Sequence, residues 1–255
     1  MPSAIKHNEE LAPKGLVTIL VEAQGANEAE LEHFLWKTFP DNECFSSVGV
    51  SVPLPPSDGI PHGGLIGVDG TLLWAGNPLS ATKKISDLID AELVKVKKGW
   101  GDTAEARKVR AALYGKGDLE AANTLVAAMA EGQERTALQA EVDARYTSAK
   151  NAIKNLQEQG RWLDAQASAK TLAKGVAGHE AWTAEVATIL AEFDSDAGKA
   201  ELAADKKLEK AIKLLRDKKL DSAPKALAAV VKTSANTKVG ARAAKIQTAL
   251  DTPLK

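Results

Sequence analysis

The sequence predicts an α/β segment over residues 1–98 followed by an all-α array of helical hairpins over residues 99–255. Two observations carry this division. Pro2, Pro13, Pro40, Pro53, Pro55, Pro56, Pro61 and Pro78 all lie in the first segment, whereas only Pro224 and Pro253 lie in the second. Proline interrupts helices and central strands, so the first segment is punctuated by loops and the second can run as continuous helix. Hydrophobic periodicity changes at the same place, from short β-branched runs to alanine-rich helical spacing. The boundary falls near Gly99 to Asp102.

Within the α/β segment, Leu16-Val17-Thr18-Ile19-Leu20-Val21 is a β-branched apolar run between Gly15 and Gly25, which predicts a strand buried on both faces. Asn27 then caps a helix with Glu30 three positions on, and Leu31, Phe34 and Leu35 supply its apolar stripe before Pro40 stops it. An irregular stretch from Val48 to Gly59 follows. Leu65 to Val68 and Thr71 to Ala75 read as two strands joined by a two-residue Asp69-Gly70 turn, since Asp-Gly supplies the positive φ angles a tight hairpin requires. Ser80 opens a helix carrying Ile85, Leu88, Ile89, Leu93 and Val96, and Lys95, Lys97 and Lys98 complement the negative end of its dipole.

Three polar turns punctuate the second segment, at Gly115 to Asp118, Gln159 to Arg161 and Asp217 to Lys219. Each precedes an apolar and alanine pattern, the arrangement of antiparallel helix pairs in close contact. The pattern resembles an irregular series of tetratricopeptide-like units.

Composition bounds the function. A chain of 255 residues that is 44% apolar and 26% charged can bury a substantial core. With 33 Lys+Arg against 34 Asp+Glu, nothing in the global charge points to nucleic acid. No run approaches the roughly 18 apolar residues of a membrane helix, so no membrane span is expected. One cysteine, Cys44, excludes an internal disulfide, a CxxC pair and a multi-cysteine zinc site.

Three pieces of the first segment resemble the thioredoxin-like thiol-disulfide oxidoreductases of the TlpA/redoxin type. Lys14-Gly15-Leu16-Val17-Thr18-Ile19-Leu20-Val21 resembles the family's "KGLxVIxV" strand, and Gly59-Ile60-Pro61-His62 its cis-proline loop. Leu65 to Pro78 resembles the "LIDxDGxxxWxGxP" hairpin. The resemblance covers residues 13–98 and implies cell redox homeostasis as the family's setting. It also implies what the chain lacks: a first core strand, and the WCxxC at the start of the helix that Met1 to Ile5 resembles in its middle. The absent strand would lie between the Leu16 to Val21 and Leu65 to Val68 strands. Its absence would leave two apolar strand edges open. On the resemblance, the product is expected to begin upstream of Met1, with an export signal, and to work outside the cytoplasm. As given, with no signal peptide, the chain reads as cytoplasmic.

Dithiol exchange needs one low-pKa thiolate to attack and a second thiol to resolve the mixed disulfide. This chain holds no CxxC, so no catalytic residue is assigned and dithiol turnover is not expected of it. The resemblance assigns Ile60, Pro61 and His62 to a substrate-groove loop, with Pro61 as the cis-proline. A trans turn proline is the alternative. His62 reads first as a loop residue, with proton transfer as the alternative. Cys44 reads as a small hydrophobe, with a lone redox thiol or an intermolecular disulfide as the alternatives. His7, His33 and His179 are too scattered for a metal site, and no cofactor is expected. The run from Lys206 to Lys219, interleaved with Asp205, Glu209 and Asp217, predicts a solvated, ion-paired face, with an anion-binding strip as the alternative. Trp162 and Trp182 read as anchors between helices, with the lining of a concave peptide-binding groove as the alternative for one of them. Two functional readings follow: a relative of the oxidoreductases that is itself inactive, or a non-catalytic adaptor. Either meets proteins as substrates or partners, through the cis-proline loop or the helical array.

Overall fold

The computed structural model describes residues 2–40, 44–50, 52–55 and 59–251, apart from the side chains of Pro2, Ser3 and Phe45. Met1, Pro56 and Pro253, used above, lie outside the described residues. The chain is mostly helical, at 69%, with a small strand region and a C-terminal helical array. It forms two compact units, one of residues 1–20 with 49–143 and the other of residues 21–48 with 144–255. Compactness thus divides the chain along a different line from composition.

The first unit contains α1 (Pro2–Leu11), the hairpin of β3 (Gly63–Ile66) and β4 (Leu72–Gly76), α3 (Thr82–Lys98), α4 (Ala104–Arg110) and α5 (Leu119–Ala127). It also takes the first half of α6 (Gln133–Glu158). The hairpin forms where expected, but its turn differs. Gly67 to Thr71 make a longer loop closed by the Gly67 N–H donating to the Thr71 carbonyl at 2.8 Å. Only Gly70 takes a positive φ, and the Asp69 carboxylate accepts the Thr71 N–H at 2.9 Å, which stabilises this wider turn locally. Leu65 pairs with Trp74 and Ile66 with Leu72, so Leu73 is an extra, bulged residue.

Asn77 caps a single 3₁₀ turn at Pro78–Ser80, and α3 starts at Thr82 rather than at Ser80. After α4 the chain widens into a π-helical turn, Ala111–Lys116, ended by Gly117 at φ +68°. Gly99, at φ +79°, lies so close to α4 that a Cβ there would fall 1.8 Å from the Arg107 carbonyl oxygen. Only glycine meets both demands. Val109, Leu113, Leu119, Val126, Leu138 and Val142 are among the buried side chains of this helical part.

The second unit contains α2 (Glu28–Thr38), β2 (Phe45–Ser47), the rest of α6, α7 (Trp162–Gly175), α8 (Glu180–Asp194), α9 (Asp196–Arg216), α10 (Ala223–Thr233) and α11 (Lys238–Asp251). The expected polar turns at Gln159 to Arg161 and Asp217 to Lys219 are present, the one at Gly115 to Asp118 is shortened to Gly117 and Asp118 because Gly115 and Lys116 close the π-helical turn, and four further breaks join α5 to α6, α7 to α8, α8 to α9 and α10 to α11. Ser195 alone separates α8 from α9, its hydroxyl accepting the Gly198 N–H at 3.0 Å. Ala204, Leu208, Ile212, Leu227, Val239 and Ile246 are core residues of α9, α10 and α11.

β1 (Ile19–Val21) pairs with β2, and this two-stranded sheet is separate from β3–β4. The strand expected over Leu16 to Val21 is therefore shorter and far more open than predicted, with Val17 64% and Ile19 63% exposed. A strand buried on both faces needs neighbours on both edges and layers above and below. Among the described residues only β2 pairs with it.

Candidate functional site

The loop singled out by sequence lies immediately before β3. The Ile60–Pro61 peptide is cis. Ile60 and Pro61 are exposed and His62 is half-buried. The His62 ring meets the Pro55 carbonyl through Nε2 at 3.0 Å. A carbonyl only accepts, so Nε2 donates in this contact. Nδ1 is buried and has no partner among the described residues. His62 thus ties the two ends of the loop together.

Cys44 falls in the other unit, just before β2, and is buried at 8% exposure. It does not sit at the N-terminus of a helix, where a dipole would favour its thiolate. Among the described residues no three His, Cys, Asp or Glu side chains gather as metal ligands, and no helix is long and apolar enough to cross a membrane.

The helical unit holds polar groups that the sequence alone did not pick out. On α9, Glu201 and Asp205 stand one turn apart in the same buried stripe as Ala204 and Leu208. Glu201 accepts the Lys238 and Val239 N–H groups at 2.7 and 3.1 Å and so caps α11. Asp205 accepts the Leu163 N–H at 2.8 Å and so caps α7. The Arg242 guanidinium faces Asp205 at 3.4 Å and Glu209 at 3.7 Å. Burial pushes the Asp205 carboxyl above its ordinary range, with the Leu163 N–H and Arg242 opposing. It also lowers the Arg242 guanidinium from its usual value. The expectation of a wholly solvated face on α9 is thus corrected: the lysines are exposed, whereas Asp205 turns inward to serve neighbouring helices. A carboxylate at the spacing of the apolar stripe was the available signal.

Across α6 and α8, Glu185 accepts from the Tyr146 hydroxyl at 2.9 Å and from the Lys150 ammonium. Lys150 and Tyr146 hold the Glu185 carboxyl low, and burial drives the Tyr146 phenol well up. The Tyr146 ring stacks on Trp182 at 4.5 Å, and Trp182 stacks on His179 at 3.9 Å. Trp162 meets Phe193 edge-on at 5.6 Å. Both tryptophans therefore anchor helices. Beside them, Ile153, Lys154, Gln157, Trp162, Ile189 and Lys238 line an open cleft of about 400 Å³.

On α2 the capping box forms as expected: the Asn27 carbonyl oxygen accepts the Glu30 N–H at 3.1 Å, and the Glu30 carboxylate accepts the Asn27 N–H at 3.0 Å. The buried side chain is not one of the predicted stripe. His33 is 1% exposed and Phe34 faces solvent. His33 Nδ1 donates to the Ala249 carbonyl at 2.7 Å, in the last turn of α11.

No family model, curated protein or solved structure matches the chain.

Proposed function

We propose that residues 1–98 are a thioredoxin-like module without dithiol chemistry, joined to a helical array, and that the chain acts by binding proteins. The order α1, β1, α2, the Ile60 to His62 loop, the β3–β4 hairpin and α3 supports the thioredoxin-like reading, with β2 as a strand added between α2 and the loop. In that fold the central strand would lie between β1 and β3, which belong to separate sheets here.

The observation that carries the non-catalytic part is Cys44. It is the sole thiol, is 8% exposed and does not begin a helix. Without a second thiol, a mixed disulfide formed at Cys44 has no internal group to resolve it. The helical array then supports the adaptor reading, with protein partners met on its exposed faces.

An insulin-reduction assay with dithiothreitol as the electron source tests this. The chain and its Cys44→Ser variant are expected to give the same rate as buffer. Turnover by the chain that Cys44→Ser abolishes would overturn the proposal.

A further inference from the structure

We infer that a stripe of lysines along α9 is a docking surface for an acidic helix of a partner protein. This rests on the adaptor reading above and gives that partner its chemistry.

Lys199, Lys206, Lys210 and Lys213 follow one another at intervals of 7, 4 and 3 residues. At 3.6 residues per turn they fall within an arc of about 60° and span about 21 Å of the helix. All four are exposed, and none makes an ion pair among the described residues. Folding draws off the carboxylates that stand among them in sequence. Glu201 and Asp205 turn inward to cap α11 and α7. Glu209 faces Arg216 at 3.8 Å and Arg242 at 3.7 Å. Asp196 and Asp217, at the two ends, are the carboxylates left to that face.

Charge is segregated along the chain as well as around the helix. Residues 195–233 hold 10 Lys+Arg against 6 Asp+Glu, and the rest of the chain holds 23 against 28. Lys206 and Lys210 at i,i+4, and Lys210 and Lys213 at i,i+3, set like charges side by side, a repulsion that an acidic ligand turns into attraction. A helix laid alongside with Asp or Glu on one face presents carboxylates at the same spacing.

Other anionic surfaces fit less well. Residues 195–233 hold no aromatic side chain on which bases could stack. The stripe holds no arginine, the side chain whose planar fork grips phosphate. The large apolar side chains of α9 are buried or half-buried, which leaves none to enter a lipid surface.

The test follows the fluorescence anisotropy of a fluorescein-labelled Glu-Ala-Ala-Ala repeat peptide of about 16 residues with the full chain at about 50 mM salt. Lys206→Glu combined with Lys210→Glu is expected to weaken binding about tenfold or more, and about 200 mM salt to weaken wild-type binding by a similar factor. Lys170→Glu combined with Lys174→Glu makes the same charge change at two exposed lysines of α7, also at i,i+4, and is expected to weaken binding less than about twofold. If charge reversal on α9 abolishes cooperative melting, Lys206→Gln with Lys210→Gln replaces it, with about threefold weakening expected.

Absent binding, or equal loss in the α7 and α9 variants, overturns the proposal. So does tighter binding to a thymidine oligonucleotide of equal charge, or to phosphatidylserine vesicles, than to the peptide. A salt-sensitive wild-type dimer that the α9 variant makes monomeric also overturns it, in favour of a second copy of this chain as the occupant. The insulin assay reads Cys44 and the peptide reads α9, so failure of the adaptor reading is told apart from failure of the stripe.

Discussion

Asp205 and Arg242 form an ion pair at 3.4 Å in which the carboxylate is 2% exposed and also caps α7 through the Leu163 N–H. Together with Glu201 one turn earlier, it makes α9 the helix that fixes where α7 and α11 begin. Removing one partner of such a pair leaves a backbone N–H and a guanidinium uncompensated. Glu209 still faces Arg242, which moderates the loss. Asp205→Ala is expected to cost about 2–3 kcal/mol in urea denaturation. An effect below about 0.5 kcal/mol would show that the pair is dispensable.

Asp205 also sets a pH dependence. Its carboxyl lies above the ordinary value of 3.8 in the folded chain, first because of burial. The native state therefore holds this proton more tightly than the unfolded state does, and stability falls as pH rises from the unfolded value through the native one. Above that window the effect is constant. Compared with Asp205→Asn, which cannot ionise, the wild-type chain is expected to lose relative stability over this range. Urea midpoints at a series of pH values check the sign, and a relative gain would contradict the assignment.

Local chemistry made much of the fold legible. The Asn27 capping box, the hairpin, the α3 stripe and the three polar turns rest on neighbours within a few residues, and each forms, the first of the turns in shortened form. Long-range placement was not legible. Nothing near His33 in sequence announces that its ring reaches a carbonyl 216 residues away. Ser195, a single-residue break between α8 and α9, is hidden because the alanine-rich pattern continues across it. For the candidate site, the Ile60 to His62 loop was found from motif and spacing. Glu201, Asp205 and Arg242 were missed because charge was read as surface.

Gly240 shows how closely α10 and α11 approach. A Cβ on this buried glycine would lie 1.9 Å from the Ser234 carbonyl oxygen. Within a helix, Gly→Ala ordinarily gains up to about 1 kcal/mol. Here the overlap involves backbone, which cannot rotate away as a side chain would. Gly240→Ala is expected to destabilise by about 2 kcal/mol or more, read from chemical denaturation. A rise in stability would refute the close approach.

Tyr146 is held by Glu185 and by stacking on Trp182. Its phenol is raised from the ordinary value of 10.0 by burial and then by the Glu185 hydrogen bond, so the folded chain keeps this proton when the unfolded chain gives it up. Its contribution is therefore lost as pH climbs above about 10. Tyr146→Phe, which cannot ionise, is expected to cost about 1 kcal/mol at neutral pH and to lose less than the wild type on going to alkaline pH. Thermal melts across the alkaline range give the comparison. A wild-type curve that falls no faster than that of Tyr146→Phe would contradict it.

The separate sheets predict how the chain behaves at concentration. Each is two-stranded, so each keeps outer edges unpaired by any described strand. Ile66 on β3 is 61% exposed, and Val17, Ile19 and Leu72 add apolar surface on or beside the strands. Unpaired N–H and C=O groups flanked by apolar side chains template further strands, whereas a lysine on the edge opposes this through repulsion and desolvation. Ile66→Lys is expected to lower concentration-dependent light scattering by about threefold while leaving the helical circular dichroism unchanged. Leu220→Lys, at a comparably exposed site (66%) between α9 and α10, serves as the control and is expected to have little effect. Equal suppression by both would mean that added charge, rather than the strand edge, governs association. Suppression by Ile66→Lys alone would locate the adhesive surface on β3.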